Sequence, residues 1–116
     1  MSIVTPIIAA DGNDVRLFCS LHDAERYIEP VDVDVYVLYG ADGERLRAWS
    51  EEVSDKPSPS NAQVTRKIVR IDSFRPKRYE HRSMMSLLNG FLRLAYNETA
   101  QDDVLAFLVR RQGFTI

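Results

Sequence analysis

Side chains that could do chemistry are few in this chain: His22 and His81 are its only histidines and Cys19 its only cysteine. A lone cysteine can make no internal disulfide and no cysteine-based zinc site. As a nucleophile it would need a base beside it, and Cys19 reads instead as a small hydrophobe buried in a strand. His22 falls in the first turn of a helix, where exposure is expected. General acid–base work at His81 would need a carboxylate within hydrogen-bond reach, which Asp72 or Glu80 could supply only through tertiary folding. The plainer expectation is a half-buried structural histidine at the border of an apolar helix stripe. No glycine-rich phosphate loop, HExxH pair, GxSxG elbow or EF-hand loop is present. The carboxylate pairs Asp32 with Asp34 and Glu51 with Glu52 are of a kind that strands and loops commonly turn to solvent. No catalytic residue, metal ligand or cofactor site is expected, and the chain does not read as an enzyme.

The elements that would carry these residues can be read from periodicity. Val15 to Ser20 alternates with the two-residue period of a strand. Ser20 then stands as a helix cap with Asp23 three residues on, and Leu21, Ala24 and Ile28 recur at helical spacing until Pro30 ends the helix near Glu29. Val33 to Tyr39 is β-branched and aromatic, and Gly40-Ala41-Asp42-Gly43 turns it into a returning strand from Glu44 to Trp49. Segment 54–63, with Pro57 and Pro59 among serines, predicts a mobile loop, and Val64 to Ile71 a further strand. Met84, Leu87, Leu88, Phe91, Leu92 and Ala95 form an apolar helix stripe that demands burial. Thr99 with Asp102 predicts the capping box of a last helix that Gly113 terminates.

The expectation is an α+β fold: about four mainly antiparallel strands, a short N-terminal helix, and two C-terminal helices packed on the sheet. At 116 residues, 45% hydrophobic and 28% charged, residues 1–116 are expected to form one domain. The opening stretch Met1 to Ala10 lacks a basic n-region and is interrupted by Pro6, so no export signal is expected. No run approaches the roughly 20 apolar residues of a membrane span. A reducing, cytoplasmic location follows as an expectation.

Charge is strongly segregated along the chain. Between Ala10 and Lys56 twelve acids face five bases, whereas Val64 to Arg82 carries seven bases and two acids, within a total of −2. The basic segment 66–82, interleaved with Phe74 and Tyr79, could track a phosphate backbone and stack bases. It could equally pair with the acidic half, and a pI near 5.6 offers nucleic acid no global attraction. The acidic half could meet a basic protein, since complementary fields speed encounter and fix register.

A resemblance bears on this choice. Ser20-Leu21-His22-Asp23-Ala24-Glu25-Arg26-Tyr27-Ile28-Glu29-Pro30-Val31-Asp32-Val33, followed by Tyr39-Gly40-Ala41-Asp42-Gly43-Glu44-Arg45-Leu46, resembles small bacterial immunity proteins of polymorphic and contact-dependent growth inhibition toxin systems. The shared pattern is a short helix ending in Glu-Pro, an Asp-Val strand and a hairpin close to D-G-R-L, into which Glu44 is inserted here. The resemblance implies a non-enzymatic antidote that binds a cognate toxin, such as a basic nuclease. It makes Glu25, Glu29, Asp32, Asp34, Asp42 and Glu44 the exposed contact charges, with Tyr27, Tyr36 and Trp49 as candidate aromatic anchors.

Overall fold

The computed structural model of the chain describes residues 3–54 and 65–116. Its strands are β1 (Ile7–Asp11), β2 (Asp14–Phe18), β3 (Val37–Tyr39), β4 (Arg45–Ser54) and β5 (Thr65–Ser73), and its helices are α1 (Leu21–Tyr27), α2 (His81–Tyr96) and α3 (Val104–Gln112). The strands form one antiparallel sheet in the order β2-β1-β3-β4-β5. The fold is α+β as expected, with five strands in place of about four.

The additional strand is β1. Ile7, Ile8, Ala9 and Ala10 are all buried, at 0–2% exposure. The odd-numbered pair faces the α1 side with Phe18, Leu38 and Leu46, and the even-numbered pair faces α2 and α3 with Leu17, Leu88 and Leu108. A strand buried on both faces loses the polar–apolar alternation that identifies a half-exposed one, so periodicity does not reveal it. The signal that could have found it is the pair Gly12-Asn13 between Asp11 and Asp14, which are paired across a tight hairpin. Gly12 adopts φ +58° there, as a two-residue hairpin turn requires.

Other boundaries move for local reasons. Ser20 caps α1 as expected, its Oγ accepting from the Asp23 N–H at 3.1 Å. The strand expected over Val33 to Tyr39 shrinks to its last three residues. Pro30–Asp32 forms a 3₁₀ turn instead, and the Asp32 and Val35 N–H groups donate back to the Glu29 and Asp32 carbonyls. Cys19 is exposed just past the end of β2, not buried within a strand. The Thr99–Asp102 capping box does not form: α3 begins at Val104 with no side-chain cap. The preceding segment is held by Asn89, whose Oδ1 accepts from the Gln101 N–H at 2.9 Å while its Nδ2 donates to the Gln101 carbonyl. Apart from Ser54, which closes β4, the expected loop 54–63 lies outside the described residues.

On α2, Met84, Leu88 and Leu92 are buried against the sheet, Leu87 and Phe91 are partly buried beside them, and Ala95 is exposed. Both C-terminal helices thus pack on one sheet face, and α1 covers part of the other. Among the described residues, no helix is long and apolar enough to cross a membrane.

The turn between β3 and β4 docks on the start of α2. The Glu80 N–H donates to the Gly43 carbonyl and the Arg45 N–H to the Arg78 carbonyl, both at 2.8 Å. Gly43 has φ +88°, and a Cβ there would stand 2.7 Å from the His81 Cα. Gly90, on α2, has open space where its Cβ would be. Opposite effects are expected: Gly43→Ala should cost about 1–3 kcal/mol from backbone strain and collision, whereas Gly90→Ala should gain about 0.5–1 kcal/mol of helix propensity. Urea midpoints of the two variants against the parent check both signs.

Candidate functional site

The fold divides the nine residues singled out in the sequence among three places. The first lies at the far ends of β1 and β3. Ala10 pairs with Val37, so the next step along both strands sets Asp11 beside Tyr36. Tyr36 is half-buried, and its hydroxyl is pushed above the usual tyrosine value by burial first, then by Tyr27, Asp11 and Asp32, with Arg16 opposing. Tyr27 packs its ring 5.3 Å from that of Phe18 and carries the Arg16 guanidinium at 5.3 Å. Arg16 is also tied to Asp14 at 3.2 Å. Both tyrosines therefore pack against the core, with Asp11 and Asp32 beside Tyr36 and the Arg16–Asp14 pair beside Tyr27. Glu29 and Asp34 are exposed in the connection that carries Asp32.

The second place is the junction between α1 and β5. Glu25 lies here, its Oε2 accepting the Ile71 N–H at 2.8 Å. It is thus a structural acceptor on the sheet edge and no free contact charge. The third is the β3–β4 hairpin. Asp42 is exposed and its Oδ1 accepts the Glu44 N–H at 3.1 Å, so it shapes the turn. Glu44, expected as an exposed charge, is only 1% exposed. The hairpin's bridge to Tyr79 encloses it, with Oε1 3.9 Å from Lys77 Nζ. Its Oε2 has no hydrogen-bond partner among the described residues. Trp49 sits farther along β4, half-buried, with Arg47 stacked 4.6 Å above its ring and its Nε1 donating to Glu51 Oε1.

Neither histidine gathers a constellation. His22 is exposed as expected, and His81 is exposed at the first position of α2, not half-buried. The carboxylates considered for His81 are engaged elsewhere: Asp72 accepts the Ser73 N–H, and Glu80 pairs with Arg78 and accepts from the Tyr39 hydroxyl. Among the described residues no group of three or more His, Cys, Asp or Glu side chains could hold a metal ion.

Sequence reasoning missed Asp11 and Asp14 as members of the tyrosine cluster because their place depends on β1, the strand that periodicity conceals. It also counted Arg45 and Arg47 within the acidic half. In the fold Arg45 stands over Tyr39 and Phe74, and Arg78 over Phe74 at 5.1 Å, so bases from both halves share the β4 side of the sheet.

Tyr39 supplies a pH test of the hairpin–helix junction. Burial first, then the negative charge of Glu80, raise its hydroxyl above the ordinary value of 10.0, with the hydrogen bond to Glu80 acting in the same sense and Arg45 and Arg78 opposing. Because the folded value is the higher one, this contribution is complete below the unfolded value near 10.0 and is lost as pH climbs through the folded one. Tyr39→Phe should therefore flatten the fall in stability above pH 10, as read from urea midpoints across the alkaline range, at a cost of about 1 kcal/mol at neutral pH for the lost hydrogen bond.

Comparison of the chain with protein-family models, with curated proteins and with solved structures found no match.

Proposed function

We propose that this chain is a non-catalytic binding protein, an immunity protein of a bacterial toxin system acting in the cytoplasm, whose tyrosine-bearing acidic surface meets a basic toxin such as a nuclease. The observation that carries the reading is the grouping of Tyr27 and Tyr36 with Asp11 and Asp32. Aromatic anchors already seated on a core lose little freedom on binding and dominate interface energies. The carboxylates around them would steer a cationic partner. The acidic segment contributes through this cluster and not as one continuous face, because Glu25 and Glu44 are committed within the fold. The resemblance of the 20–33 and 39–46 segments to immunity proteins supports the same role.

A second reading, a small nucleic-acid-binding module using the 66–82 segment, is favoured by the arginines on the β4–β5 side together with Trp49 and Phe74. Its weakness is that both rings already carry guanidinium groups, which compete with any base for the same faces.

Co-expression with the product of the neighbouring reading frame tests the first reading, with a stable complex expected. Within that complex, Tyr36→Ala should weaken binding by about 2 kcal/mol, roughly 30-fold. The double reversal Asp11→Lys with Asp32→Lys should slow association and remove most of its salt dependence. Parent-like binding by both variants, or the absence of any complex, would overturn the reading. For the second reading, a titration with RNA and DNA must give affinities that fall steeply with salt; flat or absent binding removes it.

A further inference from the structure

Segment 74–80, which joins β5 to α2, crosses the β3–β4 turn with no side chain of its own in the core. Arg75, Pro76, Lys77, Arg78 and Tyr79 are exposed, and Phe74 and Glu80 are half-buried. The contacts of Arg78 with Glu80 and with the Phe74 ring lie within the segment and would travel with it. Those that cross to the turn are polar. The Arg45 N–H donates to the Arg78 carbonyl and the Glu80 N–H to the Gly43 carbonyl, each at 2.8 Å. The Tyr39 hydroxyl reaches Glu80 Oε1 at 3.4 Å, Lys77 Nζ stands 3.9 Å from Glu44 Oε1, and the Arg45 guanidinium lies 6.0 Å from the Phe74 ring.

Beneath the segment two polar atoms are buried without a hydrogen-bond partner among the described residues, Glu44 Oε2 and Arg45 Nε. Lys77 is the one cation paired with Glu44 among those residues, and Glu44 is otherwise shut from water at 1% exposure. A buried charge with a single ion pair and a bare oxygen favours any motion that rehydrates it. The hydrogen bonds that such a motion breaks are replaced by bonds to water at small net cost, and no side chain of the segment has to leave the core. The flanks are fixed: Ser73 and Met84 are buried on either side, so the two ends can act as hinges.

We infer that segment 74–80 is a latch over the β3–β4 turn, caught by the Lys77–Glu44 pair, which opens as a unit without unfolding the sheet. Closed, it withdraws Glu44 from the surface; open, it returns that carboxylate to water and frees Lys77. None of these residues belongs to the tyrosine cluster, so the latch stands or falls independently of the acidic-surface reading.

Amide hydrogen exchange of the full chain, followed by NMR at low urea concentrations, tests the latch. The Arg45 and Glu80 amides, which bond across to the segment and from it, are expected to share one protection factor, at least tenfold below that of the β1 amides and with little dependence on urea. The Gly40 amide, bonded to the Glu44 carbonyl inside the hairpin, should keep a separate, slower rate. Lys77→Met, which leaves the buried carboxylate unpaired, should speed the two amides at least tenfold, whereas Lys77→Arg keeps them at the parent rate. Glu44→Met, which removes the buried charge, should slow them at least tenfold and abolish the effect of adding Lys77→Met. Because the two lysine variants leave the turn itself unaltered, their comparison stands even if Glu44→Met disturbs it. The inference is overturned if the two amides exchange only together with the β1 amides, if Lys77→Met leaves them at the parent rate, if Lys77→Arg speeds them as much as Lys77→Met, or if the effect of Lys77→Met persists in the Glu44→Met background.

Discussion

The architecture turns on how far three helices can cover a five-stranded sheet. Apolar sheet surface must be removed from water, and the helices accomplish this on both faces only around β1 and its neighbours. There Ile7 through Ala10 are buried on alternate sides, with α2 and α3 over one face and α1 over the other. Coverage thins toward β4 and β5. On the α1 side Leu46, Val69 and Ile71 are still buried, but the opposite side of this ribbon is finished with Arg47, Trp49, Glu51 and Arg70 instead of helix. At the outer end of the ribbon Ser50, Glu51, Glu52, Thr65, Arg66 and Lys67 are exposed.

A second tier of contacts joins the layers through the β3–β4 turn. Gly43 lets the turn lie against His81 without a side chain in the way, Glu44 is enclosed beside Lys77, and Tyr39 reaches Glu80. These contacts cross the charge boundary seen along the chain. Lys77 from the basic segment faces Glu44 from the acidic one, and Arg70 faces Glu51 in the same way. Buried in this manner, Glu44 depends on its neighbours, since a carboxylate removed from water is costly unless partnered. Part of the linear segregation is therefore spent inside the fold, while Asp11 and Asp32 remain beside Tyr36.

The tyrosine cluster would work through side chains: rigid rings seated on the core, with charge around them.

By itself the sequence determined what depends on near neighbours. The Ser20 cap, the stop at Pro30, the Gly40–Gly43 hairpin, the apolar stripe of Met84, Leu88 and Leu92, and the end at Gly113 are local preferences that the fold leaves intact, and together they set the α+β class. Tertiary structure decided what depends on distant pairing. β1 is a strand because β2 and β3 flank it and helices cover both its faces, a condition that erases the alternation by which strands are recognised. Glu44 is buried and Glu25 bonded because the segment from Ile71 to Glu80 folds back across them, and Asp11 joins Tyr36 only through the β1–β3 register. Position in the sequence fixes a side chain's charge, whereas its partner and its exposure are set by chain that arrives from tens of residues away.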